Sequence, residues 1–170
     1  MDDLAVTARQ AQLTAEPTHA HPEGQAGAIA VALAAALAAR VTHMQEPSDP
    51  SHLFAQLLEY TPESEVKHRL EQALHMEGVS PSEVGQQLGT GIQILAEDTV
   101  PMAIWCALHH LDDVPKALWA TFDALPSPEC DCDTIGAIVG GIVALTAHPS
   151  IPESWLSQLE SLEPQEQPID

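Results

Sequence analysis

The sequence predicts an all-α protein that folds as a single compact multi-helix domain over residues 1–161. Hydrophobic residues make up 45% of the 170 residues, aromatic residues make up only 4%, and alanine is abundant. This balance is typical of helices that pack closely on small side chains, and it disfavours a β-sandwich. Helix-starting residues recur along the chain without an internal repeat or a linker, so one domain is expected.

Eight or nine helices are predicted from these signals, each beginning at a capping residue or a proline. The first covers residues 2–16, where Leu4, Ala8 and Ala11 lie at helical spacing. A polar, flexible tail is expected over residues 162–170. The other helices are expected over residues 22–43, 51–60, 62–78, 81–87, 102–110, 113–125, 133–146 and 153–159.

Several of these helices carry a predicted N-cap, whose side chain accepts a hydrogen bond from the first turn. Ser51 and Thr61 are the expected caps of the third and fourth helices. Ser80 is followed three residues later by Glu83, the spacing of a capping box. Asp98 is expected to cap the helix that follows it.

The longest apolar run, residues 27–39, is shorter than the roughly 20 residues that a membrane-spanning helix needs. We therefore expect a helix that is buried on most of its sides. The acidic N-terminus has no secretory signal pattern. The three cysteines (Cys106, Cys130 and Cys132) do not form a disulfide framework, so a reducing, cytoplasmic location is expected.

Tryptophan and glycine positions give two packing expectations. Trp105, Trp119 and Trp155 each stand at a core-like position of a predicted helix, so we expect them to be buried. Three glycines lie within residues 136–141, and each costs a helix about 1 kcal/mol relative to alanine. They are therefore expected to mark a close helix contact or the close approach of a ligand.

The charge of the chain excludes some partners. Twenty-five acidic residues stand against five cations, which gives a formal net charge of −20. Bare nucleic acid and anionic membranes should repel such a chain, so neither is an expected partner. A bound phosphate would have to be held by a metal ion, helix N-termini or neutral donors, since the chain has no cluster of basic residues.

One short stretch carries the clearest chemistry. Asp131, Asp133 and Thr134 lie at the start of a predicted helix and offer hard oxygen ligands, which suit Mg²⁺, Mn²⁺ or Ca²⁺. The spacing by itself favours the simpler interpretation, in which an aspartate merely caps the helix. A third interpretation is a zinc site formed by Cys130, Cys132 and a histidine, although Cys-x-Cys without a second pair is a weak signal.

Residues 129–144 resemble the C-terminal signature of the ADP-ribosylglycohydrolases, Gly-Gly-Asp-x-Asp-Thr followed by a helix of small residues. Residues 18–24 resemble the family's Thr-His segment, which precedes an alanine-rich helix. Residues 98–105 are similar to its Val-Pro-x-Ala-x-Trp helix, and residues 151–155 match its usual ending. The resemblance covers roughly residues 5–160.

This resemblance implies an all-α enzyme that binds two Mg²⁺ ions, sometimes Mn²⁺, in a cleft. Such enzymes cleave the glycosidic bond between ADP-ribose and a modified side chain, so an ADP-ribosylated protein or small molecule is the implied substrate. By position, Asp131, Asp133 and Thr134 are the implied metal ligands, and His19 is the implied contact to ADP-ribose. No catalytic acid or base is assigned.

Two departures from the family pattern leave the activity of the chain open. The second metal motif of the family, Thr-Asp-Asp-Thr, is absent, and Glu129 and Cys130 replace the paired glycines of the signature. The chain is therefore expected to lack the family's N-terminal helices. Three hypotheses follow: an enzyme that is weak or inactive alone, one half of a split enzyme, or a non-catalytic helical module that binds ADP-ribose or protein. Because a chain that lacks these N-terminal helices exposes the faces they covered, a homo-oligomer or a complementing partner chain is expected.

Overall fold

The protein is built from α-helices. The computed structural model describes residues 3–44, 46–124, 127, 129–146 and 151–160, and these residues contain nine helices and no strand, which confirms the all-α prediction. The predicted tail 162–170 lies outside the described residues. The helices are α1 (Leu4–Ala15), α2 (Pro22–Met44), α3 (Pro50–Tyr60), α4 (Glu65–Ala73), α5 (Pro81–Leu88), α6 (Ala96–Leu108), α7 (Val114–Ala124), α8 (Cys132–Val143) and α9 (Glu153–Leu156).

Helix α2 lies at the centre and packs against α1, α3, α4, α6 and α8. Its buried residues recur every three or four positions, so they form one face of the helix. Within residues 27–39 seven residues are buried, the other six are partly buried and none is exposed, in agreement with a helix covered on most of its sides. By length and composition alone α2 could cross a membrane, which is weak evidence because core helices of soluble proteins pass the same test.

Helix α6 is the most buried element: every residue from 98 to 108 is buried. It packs against α2, α4, α5, α7 and α8. The helix begins at Ala96 rather than at residue 102, and its N-cap is Leu95, which makes no side-chain capping bond. The prediction that Asp98 caps this helix is therefore wrong, because Asp98 lies within the first turn. Pro101 is the sixth residue of α6 and lies inside the helix, so the Glu97 carbonyl oxygen lacks the amide donor that would normally lie four residues on.

The predicted caps are confirmed in part. Ser80 and Glu83 form the full capping box at the start of α5. Asp49 rather than Ser51 caps α3, because Pro50 already occupies the first helical position. Ser64 rather than Thr61 caps α4.

Two of the three tryptophan predictions are wrong. Trp105 is 3% exposed and lies in the core, whereas Trp119 is 58% exposed and Trp155 is 36% exposed. The helix that carries Trp155, α9, contacts no other helix of the described residues. Helical spacing identifies an apolar face but not whether another element covers it, and this explains both errors.

For the glycines of α8, the predicted close helix contact is wrong, whereas the close approach of a ligand stays a prediction. A Cβ atom added at Gly136 or Gly141 would meet nothing within 4 Å, and at Gly140 it would only just reach Leu118. Among the described residues, therefore, only the Leu118 side chain of α7 comes near one of these positions, and it does so at the limit of contact. The close approaches lie instead at Gly27 in α2, at Gly85 in α5, and at Gly89 and Gly91 on the 89–95 loop between α5 and α6.

Candidate functional site

A cavity of about 900 Å³ opens between α1, α2, α6 and α8. The loop before α2 and the 89–95 loop complete its rim. No lysine or arginine is among its lining residues, although histidines and carboxylates are. The lining residues are Ala11, Thr14, Ala15, His19, His21, Glu23, Gly24, Gly27, Ala28, Val31, Ala32, Ala35, Ile94, Leu95, Ala96, Glu97, Thr99, Val100, Asp131, Thr134 and Ile138.

The longest wall of the cavity is one face of α2. Ala28, Val31, Ala32 and Ala35 all line it. Their spacing of three and four residues places them on one stripe, opposite the buried stripe of the same helix. Because three of the four are alanine, this wall leaves room for a ligand and offers it only apolar contacts.

His19 lies on the loop between α1 and α2 and lines the same cavity. Its Nδ1 is 2.8 Å from the Thr18 hydroxyl oxygen. The ring lies over Gly24, where an added Cβ would come within 3.1 Å of the His19 Cβ. These two contacts orient the imidazole, so Nε2 remains the ring atom suited to a hydrogen bond with a ligand.

Asp131 and Thr134 meet at the start of α8. Asp131 is the N-cap, and its Oδ1 accepts a hydrogen bond from the Thr134 amide at 3.3 Å. Both residues line the cavity. A hydrogen bond from the Thr134 side chain, above other causes, lowers the pKa of the Asp131 carboxyl group below its ordinary value. The carboxylate therefore carries its charge at neutral pH, as a metal ligand must.

Asp133 occupies a different position. It lies in the first turn of α8, is exposed, and is not among the residues that line the cavity. Its side chain still interacts with that of Asp131 and contributes to lowering the pKa of that residue. The structure therefore brings His19, Asp131 and Thr134 together around one cavity and leaves Asp133 beside it, where its role as a metal ligand remains a prediction.

The sequence predicts a loop at residues 88–91 but gave no indication that the 89–95 loop forms part of the cavity. Ile94 and Leu95 line the cavity, and the Thr90 carbonyl oxygen accepts a hydrogen bond from the Asp131 amide at 3.1 Å. Gly91 has φ +78°, and an added Cβ would lie 2.4 Å from the Asp131 Cβ. The pair Gly89-x-Gly91 between two helices was the available signal, since closely spaced glycines permit a loop to approach another backbone.

The donors at the cavity fit part of a magnesium site. Carboxylate and hydroxyl oxygens are hard ligands, and Mg²⁺ usually keeps several waters in addition to one or two carboxylates. Within the part of the chain that the structure describes, no three His, Cys, Asp or Glu side chains are placed to bind one metal ion. The same finding gives no support to the zinc alternative. Desolvation by burial also raises the pKa of the Cys132 thiol, which disfavours the thiolate that zinc requires.

Comparisons with known proteins identify the family of the chain. A family model described as ADP-ribosylglycohydrolase matches residues 1–168. The chain is similar to the ADP-ribosylhydrolase ARH3 of Bos taurus, with 31% identity over 90% of this chain and 48% of the relative. For the ARH3 of Mus musculus the identity is 32%, over 90% of this chain and 47% of the relative.

The ARH3 of Homo sapiens is 31% identical over 90% of this chain and 48% of its own length. The chain thus spans about half the length of the curated relatives it matches. No solved structure shows a significant match.

Proposed function

Because the chain belongs to the ADP-ribosylglycohydrolase family, we propose that its cavity binds the ADP-ribose group of a modified protein or small molecule and that the chain takes part in hydrolysing the glycosidic bond. Mg²⁺, alternatively Mn²⁺, is the proposed cofactor. One observation carries the proposal: His19, Asp131 and Thr134 line a single cavity. His19 is at least 112 positions away from the other two residues in the sequence.

The roles of these side chains follow from their chemistry. His19 would donate or accept a hydrogen bond at a phosphate or a ribose hydroxyl through its free ring nitrogen. Asp131 and Thr134 would hold Mg²⁺, with Asp133 beside them. When bound, the ion would supply positive charge for the diphosphate and polarise oxygen atoms at the reacting sugar. That charge matters because the lining contains no lysine or arginine.

A complementing chain segment is part of the proposal. Asp131 and Thr134 provide two ligand side chains, whereas Mg²⁺ takes a near-octahedral shell. We propose that a further acidic side chain comes from a partner chain, from a second copy, or from a segment that corresponds to the part of the relatives' length that this chain does not match. The partly exposed cavity face of α2 and the open glycine positions of α8 are the surfaces on which such a segment would pack.

A non-catalytic ADP-ribose-binding module is the second candidate, and one observation favours it. Glycoside hydrolysis commonly needs a carboxyl group free to exchange a proton. Of the acidic side chains that line the cavity, Glu23 accepts hydrogen bonds from the Glu65 and Val66 amides, at 3.0 and 3.1 Å. It therefore caps α4 and is not free, which leaves Asp131 and Glu97 in the lining.

Calorimetric titration of ADP-ribose, with and without Mg²⁺, tests the binding function. The wild type should bind ADP-ribose more tightly with Mg²⁺, and Asp131→Asn should lose that gain. Asp133→Asn shows whether this neighbour is also a ligand. Asp123→Asn, which removes an exposed charge on α7, is the matched control and should bind like the wild type. A wild type that binds no ADP-ribose at millimolar Mg²⁺ would overturn the proposal.

Release of ADP-ribose from a modified protein separates the two candidates. The enzyme hypothesis predicts Mg²⁺-dependent release by the wild type, alone or with a complementing segment, and a loss of at least about tenfold in Asp131→Asn. Binding without release under both conditions would favour the non-catalytic module.

A further inference from the structure

The geometry points to Arg69 and Asp98 as positioning residues that clamp the 89–95 loop and, through it, the backbone of Asp131. Arg69 lies on α4 and Asp98 lies in the first turn of α6. Neither is among the residues that line the cavity. The effect on ligand binding rests on the proposed function, whereas the clamp itself does not.

Arg69 holds both ends of the loop. Its Nη1 donates to the Leu88 carbonyl oxygen at 3.3 Å and to the Glu97 carbonyl oxygen at 2.8 Å. Leu88 is the last residue of α5, and Glu97 lies in the first turn of α6. One guanidinium group therefore fixes the distance between the two helix ends that the loop connects.

The Glu97 carbonyl is available to Arg69 because of Pro101. In a helix this carbonyl would accept a hydrogen bond from the amide four residues on, and proline has no amide hydrogen. Arg69 replaces the missing donor with a charged one, and hydrogen bonds to charged groups are stronger than neutral ones. The proline inside α6 and the arginine on α4 thus form a matched pair.

Asp98 holds the interior of the loop. Its carboxylate oxygens accept from the Thr90 amide at 3.2 Å and from the Gln93 amide at 2.9 Å. Its carbonyl oxygen accepts from the Gly91 amide at 2.9 Å. Asp98 is 4% exposed, and the Arg69 guanidinium, with Nη1 4.0 Å from Oδ1, lies beside its charge.

The clamp reaches the cavity through Thr90. The Thr90 amide binds Asp98, and its carbonyl oxygen accepts from the Asp131 amide. A continuous series of polar contacts therefore links α4 to the N-cap of α8. Ile94, which lines the cavity, has φ +56°, a strained conformation for a β-branched residue that persists only when its surroundings hold it.

A purely local role for Arg69 is the competing explanation. Its Nε also donates to the Glu65 carboxylate one helical turn away, at 3.1 Å. An exposed pair of this kind stabilises a helix only weakly. Glu65→Gln removes that pair and leaves the loop contacts intact, so it is the matched control.

Amide hydrogen exchange of the full chain tests the clamp. In Arg69→Met and Asp98→Asn, the amides of Thr90, Gln93 and Asp131 should exchange at least about tenfold faster than in the wild type, as expected when charge-assisted hydrogen bonds are lost. Amides at the centre of α2 report global opening and serve as the reference. Glu65→Gln should leave the three loop-linked amides at wild-type rates.

Ligand binding completes the test. ADP-ribose affinity with Mg²⁺ should fall at least about tenfold in Arg69→Met, and Arg69→Lys should recover part of it because a lysine can reach one carbonyl. Wild-type exchange rates in both Arg69→Met and Asp98→Asn would overturn the clamp. Faster exchange with unchanged affinity would overturn the positioning role. If the wild type binds no ADP-ribose, the proposed function fails, while the exchange rates still decide the clamp.

Discussion

The two walls of the cavity are built in different ways. The apolar wall is the α2 face formed by Ala28, Val31, Ala32 and Ala35, and it is in place because the opposite face of the same helix packs in the core. The loop wall consists of the 89–95 loop and the N-cap of α8. It is held by hydrogen bonds of defined direction, among them those of Asp98 and Thr90.

This difference determines which substitutions each wall tolerates. Packing depends on volume, so the apolar wall should tolerate substitutions whose side chains fit the space available on that side of α2. Directed hydrogen bonds depend on the backbone conformation, so the loop wall should fail when one strained position or one buried acceptor changes.

The largest expected effect is at Gly89, the first residue of the loop wall. Its φ is +121°, and an added Cβ would lie 2.3 Å from the Asp98 carbonyl oxygen. Gly89→Ala should lower the free energy of unfolding by about 3 kcal/mol, measured by urea denaturation. Gly141→Ala is the control, since nothing lies within 4 Å of its Cβ position, and it should stabilise α8 by up to about 1 kcal/mol. Equal effects of the two substitutions on the free energy of unfolding would contradict the proposed sensitivity of the loop wall to backbone strain.

A second test compares the two faces of α2. Ala34 is completely buried, so Ala34→Leu should overpack the core and lower the free energy of unfolding by about 1–3 kcal/mol. Ala32 lines the cavity, so Ala32→Leu should change stability by less than about 0.5 kcal/mol and instead weaken ADP-ribose binding. Thermal denaturation and calorimetry would measure the two effects. If Ala32→Leu lowered the free energy of unfolding more than Ala34→Leu, the assignment of Ala32 to the cavity wall would be wrong.

The smallest expected effect is a pH dependence at the other end of α6. The His109 ring stacks on Trp105, with ring centroids 4.6 Å apart, and burial lowers the pKa of His109. Below about pH 6.5, His109 therefore binds a proton more readily in the unfolded chain than in the folded protein. The free energy of unfolding should fall as the pH drops below this value.

His109→Gln, which cannot take up a proton, supplies the control for this pH effect. Urea denaturation between pH 5 and 7 should show a smaller slope for the variant than for the wild type. Parallel curves would mean that His109 does not contribute. A smaller slope for the variant would show the same difference between the two ends of α6. Hydrogen bonds of defined direction hold Asp98 at one end, whereas burial disfavours protonation of His109 at the other.

Local patterns in the sequence predicted a large part of the fold. The helices, the Ser80 capping box and the burial of Trp105 all follow from residues within four positions of each other, and they are confirmed. The cap at Asp131 was one of three interpretations of this stretch, and the structure confirms it while also placing the carboxylate at the cavity. Both roles are compatible because a capping carboxylate has more than one acceptor site.

The sequence by itself determined the elements whose contacts are local: helix positions, most helix starts, and the residue types that could bind a metal ion. Only the tertiary structure decided what those elements do. Asp98 is eight residues from the amide of Thr90, and Arg69 is 28 residues from the carbonyl of Glu97. The wrong predictions for Asp98 and Trp119 have one physical reason: a local pattern describes a single helix, whereas burial and partnership depend on which distant segment lies against it.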